Sequence, residues 1–108
     1  GYEASARVND LSNIRNAVEH IETIHPDDIP RFKLLNTVAS MQPAHVPLEY
    51  NEKLSRVGYE RCVYEWPFRS ILETGGILAF GTDYFVSDYN PLPSIYYAVT
   101  RHGYDGKK

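Results

Sequence analysis

The feature that most constrains the fold of this 108-residue chain is an apolar run, Ile77 to Gly81, that leads directly into Thr82 and Asp83. Continuous apolar runs are typical of strands covered on both faces, mainly in parallel sheets flanked by helices. In such sheets, ligands bind beyond the carboxyl ends of the strands. The run therefore predicts a buried parallel strand with a chemically useful residue, Asp83, at its carboxyl end.

Two other β-type segments precede this run. The first strand is expected within residues 16–21, and the second over residues 37–41, where Gln42-Pro43 ends it. The connection that follows, up to Tyr64, is about twenty residues long, and loops of that length are usually functional.

Three helical segments alternate with the strands. The first begins within residues 25–30, the second spans residues 67–74 and is ended by Gly75, and the third begins at Asn90-Pro91. The last helix carries apolar residues at the spacing of an amphipathic face that packs on a core, namely Leu92, Ile95, Tyr96 and Val99. The order βαβαβα predicts an α/β fold built from three consecutive βα units.

Composition excludes several classes of protein. The formal net charge is −3, and Lys and Arg do not cluster beyond Lys107-Lys108, so no nucleic-acid partner is expected. No apolar stretch approaches the roughly 20 residues of a membrane span, so no membrane partner is expected either. The chain has neither a glycine-rich dinucleotide motif nor a phosphate-binding loop nor a nucleophile elbow, which argues against dinucleotide- and nucleotide-dependent enzymes.

The single cysteine and the single methionine are also informative. Cys62 cannot form an intrachain disulfide or a cysteine-based zinc site by itself. The chain begins at Gly1 and Met41 is internal, so we expect the sequence to be a processed or excised part of a longer protein.

Asp83 and His20 are the leading candidates for a site. Asp83 could bind a metal or act as a general base, although an aspartate after a strand often only caps a turn. His20, within the first predicted strand, could be a metal ligand or a hydrogen-bonded core histidine. Both lie at or near the carboxyl ends of predicted parallel strands, and imidazole and carboxylate are standard ligands for zinc and other divalent metals.

Two further residues could contact a substrate. His45 follows the second strand and either contacts the substrate or caps a loop. Arg69 lies in the first turn of the second long helix, where it either binds an anionic group of a substrate or forms an ion pair at the surface.

Seven short motifs occur in order along the chain: Val18-Glu19-His20, His25-Pro26-Asp27-Asp28-Ile29, Ser40-Met41-Gln42-Pro43-x-His45, Phe68-Arg69-Ser70, Leu78-Ala79-Phe80-Gly81-Thr82-Asp83, Asn90-Pro91-Leu92 and Ala98-Val99-Thr100-Arg101. Together they resemble the amidohydrolase family 3 branch of the metal-dependent amidohydrolase superfamily. The resemblance extends from about Arg15 to Arg101. It implies that the three strands are the sixth to eighth of a (β/α)8 TIM-type barrel, and that residues 1–108 are a single segment of a hydrolase barrel domain.

The resemblance also implies roles for individual residues. His20 matches a metal-binding histidine, and Asp83 matches an aspartate that binds metal and handles the proton of the attacking water. Gln42 and His45 match a motif that faces the substrate. The implied activity is hydrolysis of an amide-type C–N bond in a small molecule by a metal-activated water, with a divalent metal, zinc being the expected ion.

Two departures and one omission leave a rival hypothesis open. Ala17 and Phe85 stand where the family usually has Arg and Pro, and the remaining metal ligands of the family lie on earlier strands that this chain does not contain. We therefore expect the chain alone to be inactive, to bind metal weakly if at all, and to self-associate through its uncovered strands, by edge pairing or by face-to-face packing of the sheets. The alternative is a structural or interaction segment of a parent protein that has lost catalysis.

Overall fold

A computed structural model of the protein describes residues 1–10, 12–46 and 50–102. Its centre is a three-stranded parallel sheet with the strand order β1-β2-β3. The strands are β1 (Ala17–Glu19), β2 (Val38–Met41) and β3 (Ile77–Phe80). Val38 is paired with Ala17 on one side and with Ile77 on the other. The predicted alternation of three strands and helices is confirmed, but β1 is shorter than predicted, and His20 lies just beyond it rather than within it.

Six α-helices and two 3₁₀ turns complete the described part of the chain. The 3₁₀ turns span Pro26–Asp28 and Pro43–His45. The helices are α1 (Tyr2–Ala6), α2 (Arg31–Leu34), α3 (Tyr50–Val57), α4 (Tyr59–Cys62), α5 (Phe68–Glu73) and α6 (Leu92–Thr100). None of the helices described has the length and apolarity that crossing a membrane requires.

Two glycines allow α5 to turn directly into β3. Gly75 has φ +77°, a left-handed conformation that glycine adopts at little cost, and it ends the helix as predicted. At Gly76 a Cβ atom would lie 2.7 Å from Cγ2 of Ile71, so the close approach of the chain to α5 requires glycine there.

The hydrophobic core surrounds the central strand and α5. Ala39 and Met41 of β2 and Ile71 of α5 are completely buried. Around them packs a set of larger side chains that are also buried, comprising Ile21, Ile29, Phe32, Trp66 and Phe68. The core thus joins β2 to α2, α5 and the segment that follows β1, and it fixes the carboxyl ends of the strands relative to each other.

The expectation that β3 and α6 are covered is wrong for the described residues. Ile77 and Phe80 of β3 are exposed, although the apolar run predicted a strand covered on both faces. We call the residues Leu92, Ile95, Tyr96 and Val99 the α6 stripe; all are exposed, Leu92 by 67% and Val99 by 78%. Helix α6 instead contacts the 3₁₀ turn at 43–45 and buries Ser94 and Tyr97. Periodicity identifies an apolar face but does not say what covers it.

Candidate functional site

The segments that follow the three strands meet at one edge of the sheet. His20 directly follows β1, His45 ends the 3₁₀ turn after β2, and Asp83 lies three residues beyond β3. Because all three strands are parallel, their carboxyl ends share this edge. The side chains line one cavity of about 610 Å³, a volume suited to a small-molecule ligand. The predicted convergence of His20 and Asp83 is therefore present in the structure.

The backbone around this cavity is strained. Among the described residues, six that are not glycine have positive φ, and four of these line the cavity: His20, Ile21, Trp66 and Asp83. Such conformations cost roughly 1–3 kcal/mol each and cluster at functional sites. Four side chains at the carboxyl edge of the sheet are thus held by backbone conformations that are unfavourable for residues other than glycine.

The two histidines are stacked, and each has an imidazole nitrogen without a partner. Their ring centroids lie 5.9 Å apart with an angle of 18° between the planes. Nδ1 of His20 and Nε2 of His45 are buried and have no hydrogen-bond partner among the described residues. The side chain of His45 is only 10% exposed, and its Nε2 lies 3.8 Å from Oδ2 of Asp83, too far for a hydrogen bond. A buried polar atom left unpaired costs about 1–3 kcal/mol, so these nitrogens are candidates for binding a ligand.

A third donor, Glu22, completes a set that fits a divalent metal. One ligand atom from each of His20, Glu22 and His45 lies within 4.8 Å of the other two. Imidazole nitrogen and carboxylate oxygen are the donor types that zinc and related metals take. Sequence reasoning missed Glu22. The available signal was its position two residues after His20, in the segment that leaves β1.

A largely buried lysine, Lys53, lies between two glutamates beside this set. Nζ of Lys53 lies 2.9 Å from Oε2 of Glu22 and 2.8 Å from Oε1 of Glu65. It also lies 5.5 Å from the centroid of the Trp66 ring. Burial by itself would lower the pKa of Lys53, but hydrogen bonds and charge interactions with Glu65 and Glu22 outweigh it and raise that pKa above its ordinary value. Lys53 is therefore a charged ammonium at neutral pH.

The network had only an indirect signal in the sequence. Lys53 lies in the long connection between β2 and α5, whose length predicted a functional loop. Neither Lys53 nor Glu65 was singled out, since a lone lysine and a lone glutamate have no diagnostic spacing.

The structure does not bring Gln42 and Arg69 into the cavity. Nε2 of Gln42 donates a hydrogen bond to Oε2 of Glu19 at 3.1 Å, and its buried Oε1 has no partner in the described part of the chain. Nε of Arg69 donates to Oε1 of Glu73 at 2.7 Å on the exposed surface of α5. Of the two roles expected for Arg69, the structure shows the surface ion pair.

Comparison with known proteins identifies the family. The amidohydrolase family matches residues 1–107, and the chain belongs to that family, as the sequence motifs predicted. Over 101 residues it is 39% identical to Protein LONG AFTER FAR-RED 3 of Arabidopsis thaliana. The match covers 93% of this chain and 17% of that protein.

A solved structure shares the fold. The crystal structure of an uncharacterized metal-dependent hydrolase from Pyrococcus furiosus matches with a TM-score of 0.67 and 23% sequence identity. The match covers 87% of this chain and 20% of that one. This chain therefore spans one fifth or less of the length of both proteins.

Proposed function

We propose that this chain is part of the catalytic barrel of a metal-dependent amidohydrolase and that β1, β2 and β3 are the sixth, seventh and eighth strands of a (β/α)8 barrel. Three observations support the proposal. The strands are parallel and lie side by side in chain order, as consecutive strands of such a barrel do. The family match covers residues 1–107. The chain also spans only about a fifth of its structural neighbour, which leaves room for the remaining strands.

The observation that carries the functional part is the pair of buried nitrogens without partners, Nδ1 of His20 and Nε2 of His45, in the cavity that Asp83 also lines. We assign His20 and Asp83 as ligands of a divalent metal, with zinc as the expected ion. A bound divalent metal supplies Lewis acidity that makes a water a better nucleophile and a carbonyl a better electrophile.

The residues of this chain have separate tasks in hydrolysis of an amide-type C–N bond. Asp83, one-third exposed and open to the cavity, accepts the proton of the attacking water and returns it to the leaving nitrogen, which is the usual demand on a general base that becomes a general acid. His45 lies beside Asp83 and is fixed by the edge of the Trp66 ring, with centroids 6.1 Å apart. The buried indole of Trp66 forms an apolar wall on that side of the cavity. The substrate in this proposal is a small molecule that enters the cavity.

The chain by itself has too few donors for a complete catalytic centre of this family. The family resemblance places further ligands on earlier strands, so the full-length protein is the object to test. The isolated 108-residue chain is expected to be inactive.

The experiment compares two histidine variants of the full-length protein. His20→Ala should lose most of the bound metal and fall to background hydrolysis of amide and imide substrates. His25→Ala is the matched control, since the side chain of His25 is exposed, does not line the cavity and, among the described residues, contacts only the backbone N–H and carboxylate of Asp27 through Nδ1. Elemental analysis and turnover provide the two readouts. Stoichiometric metal and normal turnover in His20→Ala would refute the assignment, while an unmodified protein with neither metal nor turnover would favour the non-catalytic alternative.

A further inference from the structure

We propose that Glu22 is a further metal ligand of this centre and that Lys53, itself held by Glu65, is the residue that positions it. The inference rests on the proposed function, because it concerns the same cavity. Neither the sequence motifs nor the family comparison assigns a role to these three residues.

The first argument is the geometry of Glu22. Its ligand atom lies within 4.8 Å of those of both His20 and His45. Lys53 holds Oε2 of the carboxylate. A carboxylate has two oxygens with several acceptor sites, so Glu22 can bind the ammonium and still present an oxygen to the metal. Two buried imidazole nitrogens without partners lie on this side of the cavity, and the unprotonated nitrogen of a neutral imidazole is one that a metal ion can take as a ligand.

The second argument is how firmly the backbone of Glu22 is held. The N–H of Trp66 donates to the carbonyl of Glu22 at 3.0 Å, and Thr23 pairs with Glu65 in an antiparallel bridge. The guanidinium of Arg101 donates to the carbonyl oxygens of Trp66 and Glu65 at 3.1 and 3.2 Å. Segment 22–23 is thus fixed to segment 65–66. Arg101, at the end of α6, in turn fixes segment 65–66.

The third argument is the burial of Lys53. An exposed lysine gains little from an ion pair because it loses side-chain entropy and is solvated by water. The side chain of Lys53 is 12% exposed, and that of Glu65 is 5% exposed. Glu65 therefore anchors the ammonium from the protein interior, and the ammonium in turn fixes the carboxylate of Glu22 at the cavity wall. Residues that orient metal ligands in this way typically change metal affinity by about 10–100-fold when they are replaced.

The test uses the metal-free full-length protein titrated with Co²⁺, whose visible absorption bands report the ligands around the ion. Glu22→Gln should weaken Co²⁺ binding by about 10–100-fold and shift the bands, and Lys53→Met should weaken it by about tenfold. Lys53→Arg keeps a charge with several N–H donors and can still bridge two carboxylates. Its Co²⁺ affinity should therefore stay within about threefold of that of the unmodified protein. Two matched controls, Glu73→Gln and Arg56→Met, alter exposed ion pairs and should bind Co²⁺ normally.

Loss of folding is separated from loss of positioning by a double variant. Lys53→Met leaves the buried carboxylate of Glu65 without its ammonium, and removing one partner of a buried pair is strongly destabilising. If it does not fold, Lys53→Met combined with Glu65→Gln removes that charge and still leaves Glu22 unheld. The double variant should again weaken Co²⁺ binding by about tenfold.

The outcomes distinguish this inference from the proposed function. If His20→Ala abolishes Co²⁺ binding while Glu22→Gln retains the affinity and the bands of the unmodified protein, the proposed function stands and Glu22 is not a ligand. Unchanged or tighter binding in Lys53→Met would overturn the positioning role. If His20→Ala binds Co²⁺ normally, the proposed centre itself is wrong.

Discussion

The cavity at the carboxyl edge of the sheet buries polar side chains, whereas the α6 stripe exposes apolar ones. At the cavity, the largely buried Lys53 pairs with the buried Glu65 behind it, and two imidazole nitrogens lack partners in the described part of the chain. On α6, Leu92 and Val99 are more than half exposed. Both arrangements reverse the usual distribution of residues in a folded domain.

The two regions differ in how the cost is offset. Buried charges are stabilised by pairing, and the ion pairs of Lys53 serve that purpose within the chain. Exposed apolar residues cannot be stabilised by pairing in this way. Large contiguous patches of them are typical of surfaces that take part in binding. The cavity is therefore organised by contacts within the chain, whereas no described residue covers the α6 stripe.

The largest expected effect comes from removing one negative charge in the cavity, compared with removing one outside it. In the full-length protein, Asp83→Asn keeps the shape of the side chain but removes its charge and its ability to accept a proton, so turnover should fall by about a thousandfold or more, on the order of 4 kcal/mol. Asp88→Asn, five residues away and exposed, should leave turnover unchanged. Circular dichroism should show both variants folded. Turnover of Asp83→Asn within tenfold of normal would remove Asp83 from the mechanism.

A stability measurement tests whether the α6 stripe is covered in the full-length protein. Ile71→Ala in the buried core should reduce the free energy of unfolding by about 2–5 kcal/mol in any context. Val99→Ala should cost less than about 0.5 kcal/mol in the 108-residue chain at concentrations where that chain is monomeric, because Val99 is exposed there. In the full-length protein the same change should cost about 1–2 kcal/mol, because two buried methyl groups are lost. Urea unfolding measures both, and equal costs for Val99→Ala in the two proteins would contradict covering of the stripe.

Besides the uncovered strands, the exposed α6 stripe should contribute to self-association of the 108-residue chain. Replacing Ile95 and Val99 together with serine should weaken association by at least about tenfold, since the apolar area available for burial falls. Val63→Ser, an equally simple change at an exposed apolar residue on another part of the surface, is the control. Sedimentation velocity gives the oligomer distribution. A chain that is monomeric before any substitution would show that exposed apolar residues need no partner here.

The smallest effect is expected at Arg69, outside both regions. Its ion pair with Glu73 is exposed, and such pairs contribute about 0–1 kcal/mol. Arg69→Ala should therefore change stability by less than about 0.5 kcal/mol and the KM of the full-length protein by less than twofold. An increase of KM by a factor of ten would restore the role in binding an anionic substrate group.

The sequence determined the features that depend on neighbouring residues. The three parallel strands and Gly75 at the end of α5 were predictable, because apolar runs and glycine stops act over a few residues. The positions of His20 and Asp83 near strand ends followed from the same local pattern. Parallel pairing then brings the strand ends to one edge, whatever the connections do.

Only the tertiary structure decided which side chains share the cavity and which face of α6 is buried. Lys53 meets Glu22 across a separation of 31 residues, and no local pattern encodes a contact that depends on how two loops fold back. The left-handed backbone of His20 and Asp83 redirects both side chains, which strand periodicity does not predict. For α6, hydrophobic spacing gave the stripe, but the contact with the turn at 43–45 turned that stripe outward. The physical reason is common to all three: local sequence sets backbone preference and polarity, while long-range packing sets orientation.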